Sequence, residues 1–246
     1  MISVLQKPPS VVLDPYPHFI IEDALPQETY DQLANEWPEE QLLTTDPYDD
    51  GVCYRLKADE MLKKGRVSQL WKDFTKYHTS INFFNEVKNI FSNHIKHENP
   101  TLSARGWAKK SDMIWTDCQT VMHKPINATT RTPHIDNPRE IYAGLLYMPF
   151  ADDKAQGGEF QIYSSVNAVN DVDIKKGRQI FDKDLGKVHT TVPYRANTFV
   201  MFLNNSPHAI HGVTPRTDAT RYRRSVNIIA EYSRQSGNSM FTVNEI

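Results

Sequence analysis

The period of the apolar positions changes near residue 113 of the chain. Ahead of it the spacing is helical. In PQETYDQLANEW (26–37), Tyr30, Leu33 and Trp37 recur three and four residues apart. Between Ile81 and Ile95, Phe83, Phe84, Val87, Ile90, Phe91 and Ile95 form a continuous apolar stripe. Such spacing predicts amphipathic helices that turn one face to a core. A further amphipathic run, Arg66 to Lys76, predicts a third helix, and the β-branched HFIIE (18–22) a short opening strand. Thr44 to Gly51 is polar and Asp-rich.

From Met113 onward, short β-branched and aromatic runs are punctuated by Pro and Asn, a strand-and-turn texture. Strands are predicted over 113–123, 131–136, 142–150, 159–163, 188–192, 198–203, 210–214 and 221–232. Strands after a helical preface predict a mostly β fold with some α, an antiparallel jelly roll or cupin-type barrel with N-terminal helices packed on one outer face. The expected organisation is one domain over 1–246, with strand and helical support in 1–110 and the β core in 111–235. Ser164 to Lys187 is polar and aperiodic, and reads as an inserted loop long enough to border a site.

The chain has 246 residues, and its 28 basic and 30 acidic side chains are intermixed to a net charge of −2. That balance gives no electrostatic reason to expect nucleic acid or an anionic membrane as partner. The N-terminal stretch is broken by Lys7 and by prolines, unlike a secretory or membrane-spanning segment. Cys53 and Cys118 are far apart and lack metal-ligand spacing, which favours a reducing, cytoplasmic setting.

The candidate chemistry lies in two segments. PHIDNPREIYAGL places His134 and Asp136 two apart, on one face of a predicted strand. NNSPHAIHGVTP supplies His211 at a second strand, with His208 as a competitor. His-x-Asp alone is a weak signal. Joined by a second imidazole it makes the facial triad of non-haem Fe(II) oxygenases, with coordination positions left open.

Two longer segments, PHIDNPREIYAGLLYMPFADDKAQGGEFQIY and NTFVMFLNNSPHAIHGVTPRTDATRYRRSV, carry a resemblance. The order His-x-Asp, a strand ending in Tyr-Met, Gly-Gly-Glu, His-Gly-Val-x-Pro and Arg-x-Ser resembles the iron(II)- and 2-oxoglutarate-dependent dioxygenases, in their prolyl-hydroxylase-like branch of bacterial and phage type. The resemblance spans about Thr132 to Ile228, and DPYPHFIIEDALP is similar to N-terminal segments of such proteins. It implies a double-stranded β-helix and Fe(II) held by His134, Asp136 and His211. It also implies 2-oxoglutarate and O2 as co-substrates, with ascorbate as an accessory reductant. The far carboxylate of 2-oxoglutarate calls for a planar cation. The Arg-x-Ser pattern selects Arg223, with Ser225 and Tyr147 beside it; Arg221 is the runner-up and Arg224 points the other way.

Because Asp136 is retained, the resemblance implies hydroxylation or desaturation rather than halogenation, with no catalytic residue beyond the metal site. Arg131 and Asn137 stand at the predicted mouth as substrate contacts, Asn137 being equally a turn residue. Gly157 and Gly158 read as a turn, and Gln119 as a residue that can face the cofactor. His123 and His189 read as surface or satisfied core histidines. The substrate class stays open between a protein residue such as proline, an amino acid and a small metabolite. Two rivals remain: a non-catalytic cupin-like metal-binding module, and a cupin dioxygenase that dispenses with 2-oxoglutarate.

Overall fold

The computed structural model describes residues 2–45, 53–95, 113–128, 131–137, 139–165, 178–179, 185–204, 208–232 and 241–242. The N-terminal part runs β1 (His18–Ile21), α1 (Gln27–Asn35), β2 (Thr44–Thr45), β3 (Cys53–Leu56), α2 (Ala58–Lys63), α3 (Gln69–His78) and α4 (Ile81–Phe91). Serines set the starts of the last two helices. The Ser68 hydroxyl accepts from Trp71 N at 3.3 Å, and the Ser80 hydroxyl accepts from Phe83 N at the same distance. The Ser68 cap explains why α3 begins three residues after the expected Arg66, since an N-cap holds the residue outside the helix. Helix α2 and strand β3 were not expected from the sequence; each is too short to show a period.

The remainder forms β4 (Met113–His123), β5 (His134–Ile135), β6 (Glu140–Tyr147), β7 (Phe160–Ser165), β8 (Arg178–Gln179), β9 (Leu185–Val192), β10 (Phe199–Leu203), β11 (His211–Val213), β12 (Arg223–Tyr232) and β13 (Phe241–Thr242). An eight-stranded sheet runs β1-β10-β6-β12-β4-β3-β2, with β13 paired to β4. A five-stranded sheet runs β8-β5-β11-β7-β9. Every strand pair is antiparallel, and together the sheets make a double-stranded β-helix. Of the expected loop 164–187, its first two and last three residues belong to β7 and β9, and β8 pairs with β5. Residues 166–177 and 180–184 lie outside the described residues.

Alternation along β12 sorts the two layers. Val226, Ile228 and Ala230 join Trp71, Phe74, Phe83, Phe84, Val87 and Phe91 in the larger core, between the eight-stranded sheet and the helices. Arg223, Ser225, Asn227, Ile229 and Glu231 face the other way and line a cavity. A smaller core, with Phe160, Ile162, Val192, Val200 and Phe202, fills the space between the sheets. One register shift matters for this cavity. Between Ala230 and Glu231 the pairing of β12 with β6 skips Ile141, so that Glu231 stands opposite Glu140 while Ala230 stands opposite Tyr142. A bulge reverses the faces beyond it, and Glu140 therefore joins the cavity wall although Tyr142 two residues on is in the core.

Candidate metal centre and its cavity

His134 and His211 are brought together by strand pairing. They are direct partners across β5 and β11, and their ring centroids lie 4.4 Å apart. Asp136 closes the group: its Oδ1 is 3.2 Å from His134 Nε2 and its Oδ2 is 3.2 Å from His211 Nε2. One donor atom from each residue lies within 4.8 Å of the others. Only His134 and Ile135 of the expected strand 131–136 are in strand conformation, so Asp136 reaches the site from just beyond the strand end. Pro138, which follows Asn137 in the sequence, lies outside the described residues. His208 is not part of the cluster.

Both imidazoles are held in the form a metal needs. His134 Nδ1 is 2.7 Å from the Thr132 carbonyl and His211 Nδ1 is 3.0 Å from the Ala209 carbonyl. A carbonyl only accepts, so each Nδ1 carries the proton and each Nε2 presents its lone pair to Asp136. Burial, with the Arg131 guanidinium nearby, pushes His134 down to about 4 and keeps it neutral near pH 7. Phe160 stacks on the His211 ring at 5.3 Å and Phe202 packs on it at 4.5 Å. The Tyr16 hydroxyl donates to the Ile210 carbonyl at 3.0 Å, tying the N-terminal segment to the His211 strand. The donor set, two neutral nitrogens and one carboxylate with their orientation fixed, fits Fe(II) or a similar divalent ion.

In front of the triad is a cavity of about 730 Å³. Arg223 reaches it from the opposite sheet. Its side chain is 1 % exposed; its Nε donates to the Gly158 carbonyl at 3.1 Å, and Nη2 has no hydrogen-bond partner among the described residues. The guanidinium lies 5.2 Å from the Tyr147 ring and 4.8 Å from the Tyr194 ring. The Tyr147 hydroxyl, also buried without a partner among the described residues, belongs to the residue directly opposite Ser225. Burial raises the Tyr147 phenol above its ordinary range, against the pull of Arg223, so it stays a donor.

The other two arginines separate clearly. Arg221, the runner-up, precedes β12 and is half exposed in an ion pair with Asp152. Arg224 does point the other way: its Nε donates to the Met148 carbonyl at 2.9 Å and its guanidinium sits 3.9 Å over Phe150. Gly157 and Gly158 form the turn whose carbonyl receives Arg223. At Gly157, φ is +83° and a Cβ would stand 1.9 Å from the Pro215 carbonyl oxygen, so only glycine fits. Behind this turn a buried ion pair joins Arg216 Nη2 to Asp153 at 2.7 Å.

Arg131 and Asn137 both line the cavity. Arg131 is 3.9 Å from Asp136, and Asn137 combines two roles, accepting from Arg139 N at 3.1 Å and donating to Glu231 at 3.3 Å. Gln119 lines the cavity too, and accepts from Arg55 at 3.1 Å while donating to Asp117 at 2.6 Å. Several wall residues were not singled out from the sequence: Arg55, Lys57, Arg139, Glu140 and Glu231. Sheet register places Arg55, Glu140 and Glu231, while Lys57 and Arg139 stand next to strand ends, and neither leaves a local motif. His123 corrects the sequence reading outright. It is neither on the surface nor satisfied: it is 6 % exposed, lines the cavity, and neither ring nitrogen has a hydrogen-bond partner among the described residues. His189 is on the surface, 3.3 Å from Asp14.

Residues 120–229 match the family described as the 2OG-Fe(II) oxygenase superfamily, a segment that holds the whole triad and Arg223. No curated protein matches the chain. Among solved structures, the chain resembles a Pseudomonas putida prolyl-4-hydroxylase with a TM-score of 0.52 and 15 % identity, over 90 % of this chain and 95 % of that one. It also resembles a prolyl hydroxylase from Trichoplax adhaerens, solved with a hypoxia inducible factor peptide, at a TM-score of 0.51 and 11 % identity, over 89 % and 86 % of the two chains. At such identities the likeness is one of fold. Among the described residues, no helix is long and apolar enough to cross a membrane.

Proposed function

From its membership in the 2OG-Fe(II) oxygenase superfamily, we propose that this 2-oxoglutarate-dependent dioxygenase holds Fe(II) on His134, Asp136 and His211, anchors 2-oxoglutarate on Arg223, and hydroxylates a polar small molecule. Bound iron, O2 and 2-oxoglutarate supply the oxidative chemistry: the 2-oxo acid is decarboxylated to succinate and CO2, one oxygen atom going to succinate and one to the substrate.

The residues of the chain bind, orient and shield. The two Nδ1–H···O=C bonds fix the imidazoles so that both Nε2 atoms and the Asp136 carboxylate converge on one point. Arg223 faces the same cavity from the other sheet, with an unspent Nη2 donor and a Tyr147 hydroxyl beside it, a cradle suited to a carboxylate. Phe160 and Phe202 keep water from the His211 side. Removing hydrogen from a C–H bond is oxidative work, and nothing in it requires a protein general base.

The single observation that carries this reading is the placement of the triad and the buried, partly unpaired Arg223 on facing sheets around one cavity. The preference for a small molecule is supported by the cavity volume, about 730 Å³, which falls among small-ligand sites, and by its wall of Arg55, Lys57, Arg139, Glu140 and Glu231. Arg131 and Asn137 are the proposed substrate contacts nearest Asp136. The test is succinate formation by the Fe(II)-loaded protein with 2-oxoglutarate and a panel of polar metabolites, read with the 16-dalton gain in the product. Oxygen consumption that does not depend on 2-oxoglutarate overturns the co-substrate; a gain only on peptides overturns the substrate class.

A further inference from the structure

His123 on β4 stands directly opposite Arg223 on β12, so both side chains leave the sheet on the same face, into the same cavity. A neutral imidazole has one donor and one acceptor. Both nitrogens of His123 are buried with no partner among the described residues, and so is Arg223 Nη2. Buried polar groups are paired as a rule, and leaving one unpaired is costly. Three unspent hydrogen-bonding atoms on neighbouring residues, at one end of one cavity, are a site built for a polar ligand rather than part of a core.

The ligand is further defined by charge. Burial, with the Arg223, Arg55, Arg131 and Arg216 guanidinium groups around the ring, holds His123 well below the ordinary histidine range. It is thus an uncharged, directional donor in a cationic surrounding, which matches an anionic oxygen that already has an arginine partner. Resting on the reading that 2-oxoglutarate lies between the triad and Arg223, we propose that His123 is a second anchor for its far carboxylate, donating a ring N–H to one oxygen while Arg223 holds the other. Two donors at fixed positions also set the distance from the metal at which that carboxylate is accepted, which makes His123 a determinant of co-acid length.

The test uses the full chain loaded with Mn(II), which binds 2-oxoglutarate without turnover, and reads affinity by calorimetry. Pyruvate, a 2-oxo acid without the far carboxylate, is the control. His123→Ala is expected to weaken 2-oxoglutarate about tenfold, His123→Asn to recover part of that loss through its amide donor, and both to leave Mn(II) and pyruvate binding unchanged. In the wild-type protein loaded instead with diamagnetic Zn(II), ¹⁵N imidazole spectra are expected to show one neutral histidine N–H shifting downfield on addition of 2-oxoglutarate but not of pyruvate. That measurement stands even if His123→Ala does not fold. A change in 2-oxoglutarate affinity of less than twofold overturns the assignment, as does an equal loss for pyruvate or the absence of the imidazole shift. If Arg223→Ala weakens 2-oxoglutarate and His123→Ala does not, only the His123 assignment fails. If the wild-type protein binds no 2-oxoglutarate, the underlying function fails with it.

Discussion

His211 and His134 are cross-strand partners in an antiparallel pair, with their imidazole centroids 4.4 Å apart and each Nδ1 tied to a carbonyl two residues before it. The two imidazoles are therefore positioned by backbone register. Asp136 depends on a chain that has already left the strand.

This arrangement sets the first expectation. His134→Ala, Asp136→Ala and His211→Ala each abolish stoichiometric Fe(II) or Co(II) binding while the circular dichroism of the fold is kept. His208→Ala retains the metal. Metal analysis after dialysis checks both, and loss of metal in His208→Ala with retention in His211→Ala reverses the ligand assignment.

Arg223 and Arg221 differ in surroundings, and so in consequence. Removing one partner of a buried charge-assisted pair costs about 2–5 kcal/mol, roughly thirty- to several-thousand-fold in affinity. Arg223→Ala should weaken 2-oxoglutarate by at least the lower factor. Arg221→Ala breaks a surface pair with Asp152 and should change it by less than twofold. The same calorimetric titration compares the two, and the reverse order of effects refutes the anchor.

Gly157 links backbone strain to ligand binding. A Cβ there meets the Pro215 carbonyl at 1.9 Å in a positive-φ conformation, and the next carbonyl, of Gly158, accepts from Arg223. Gly157→Ala is expected to lower stability by about 1–3 kcal/mol and to weaken 2-oxoglutarate along with it. Thermal melting and 2-oxoglutarate titration report the two effects. An unshifted melting temperature contradicts the strain argument.

His78, far from the cavity, should give the chain an acid sensitivity. It is fully buried, with Nδ1 donating to the Phe74 carbonyl and Nε2 accepting from Val4 N, and burial pushes it down to about 3. The unfolded chain takes up this proton below about pH 6.5 and the folded chain only near pH 3. The stabilisation is therefore full above pH 6.5 and falls by about 1.4 kcal/mol per pH unit as pH drops toward 3. Burial raises Asp117, which acts with opposite sign, so the comparison must be made against a variant. His78→Gln, which keeps a donor and an acceptor, should flatten the fall of the urea midpoint between pH 6.5 and 4. Parallel curves for the two proteins exclude His78 as the cause.

The sequence by itself determined the longer elements and the candidate ligand types. Helical spacing in Phe83, Phe84, Val87 and Phe91, and the β-branched and aromatic runs that predict strands over 113–123 and 221–232, survive into the fold because such preferences are local properties of the backbone. The proposed ligands His134, Asp136 and His211 were legible because ligands to one metal fall into short motifs at strand ends. What only the tertiary structure decided is how separate strands align. Register set His123 opposite Arg223, a bulge turned Glu140 toward the cavity, and the start of β12 left Arg221 at the surface with Asp152. No residue carries these relations in its own neighbourhood. A one-residue slip between strands would exchange wall for core at every position, and the choice among slips is made by the packing of both cores at once.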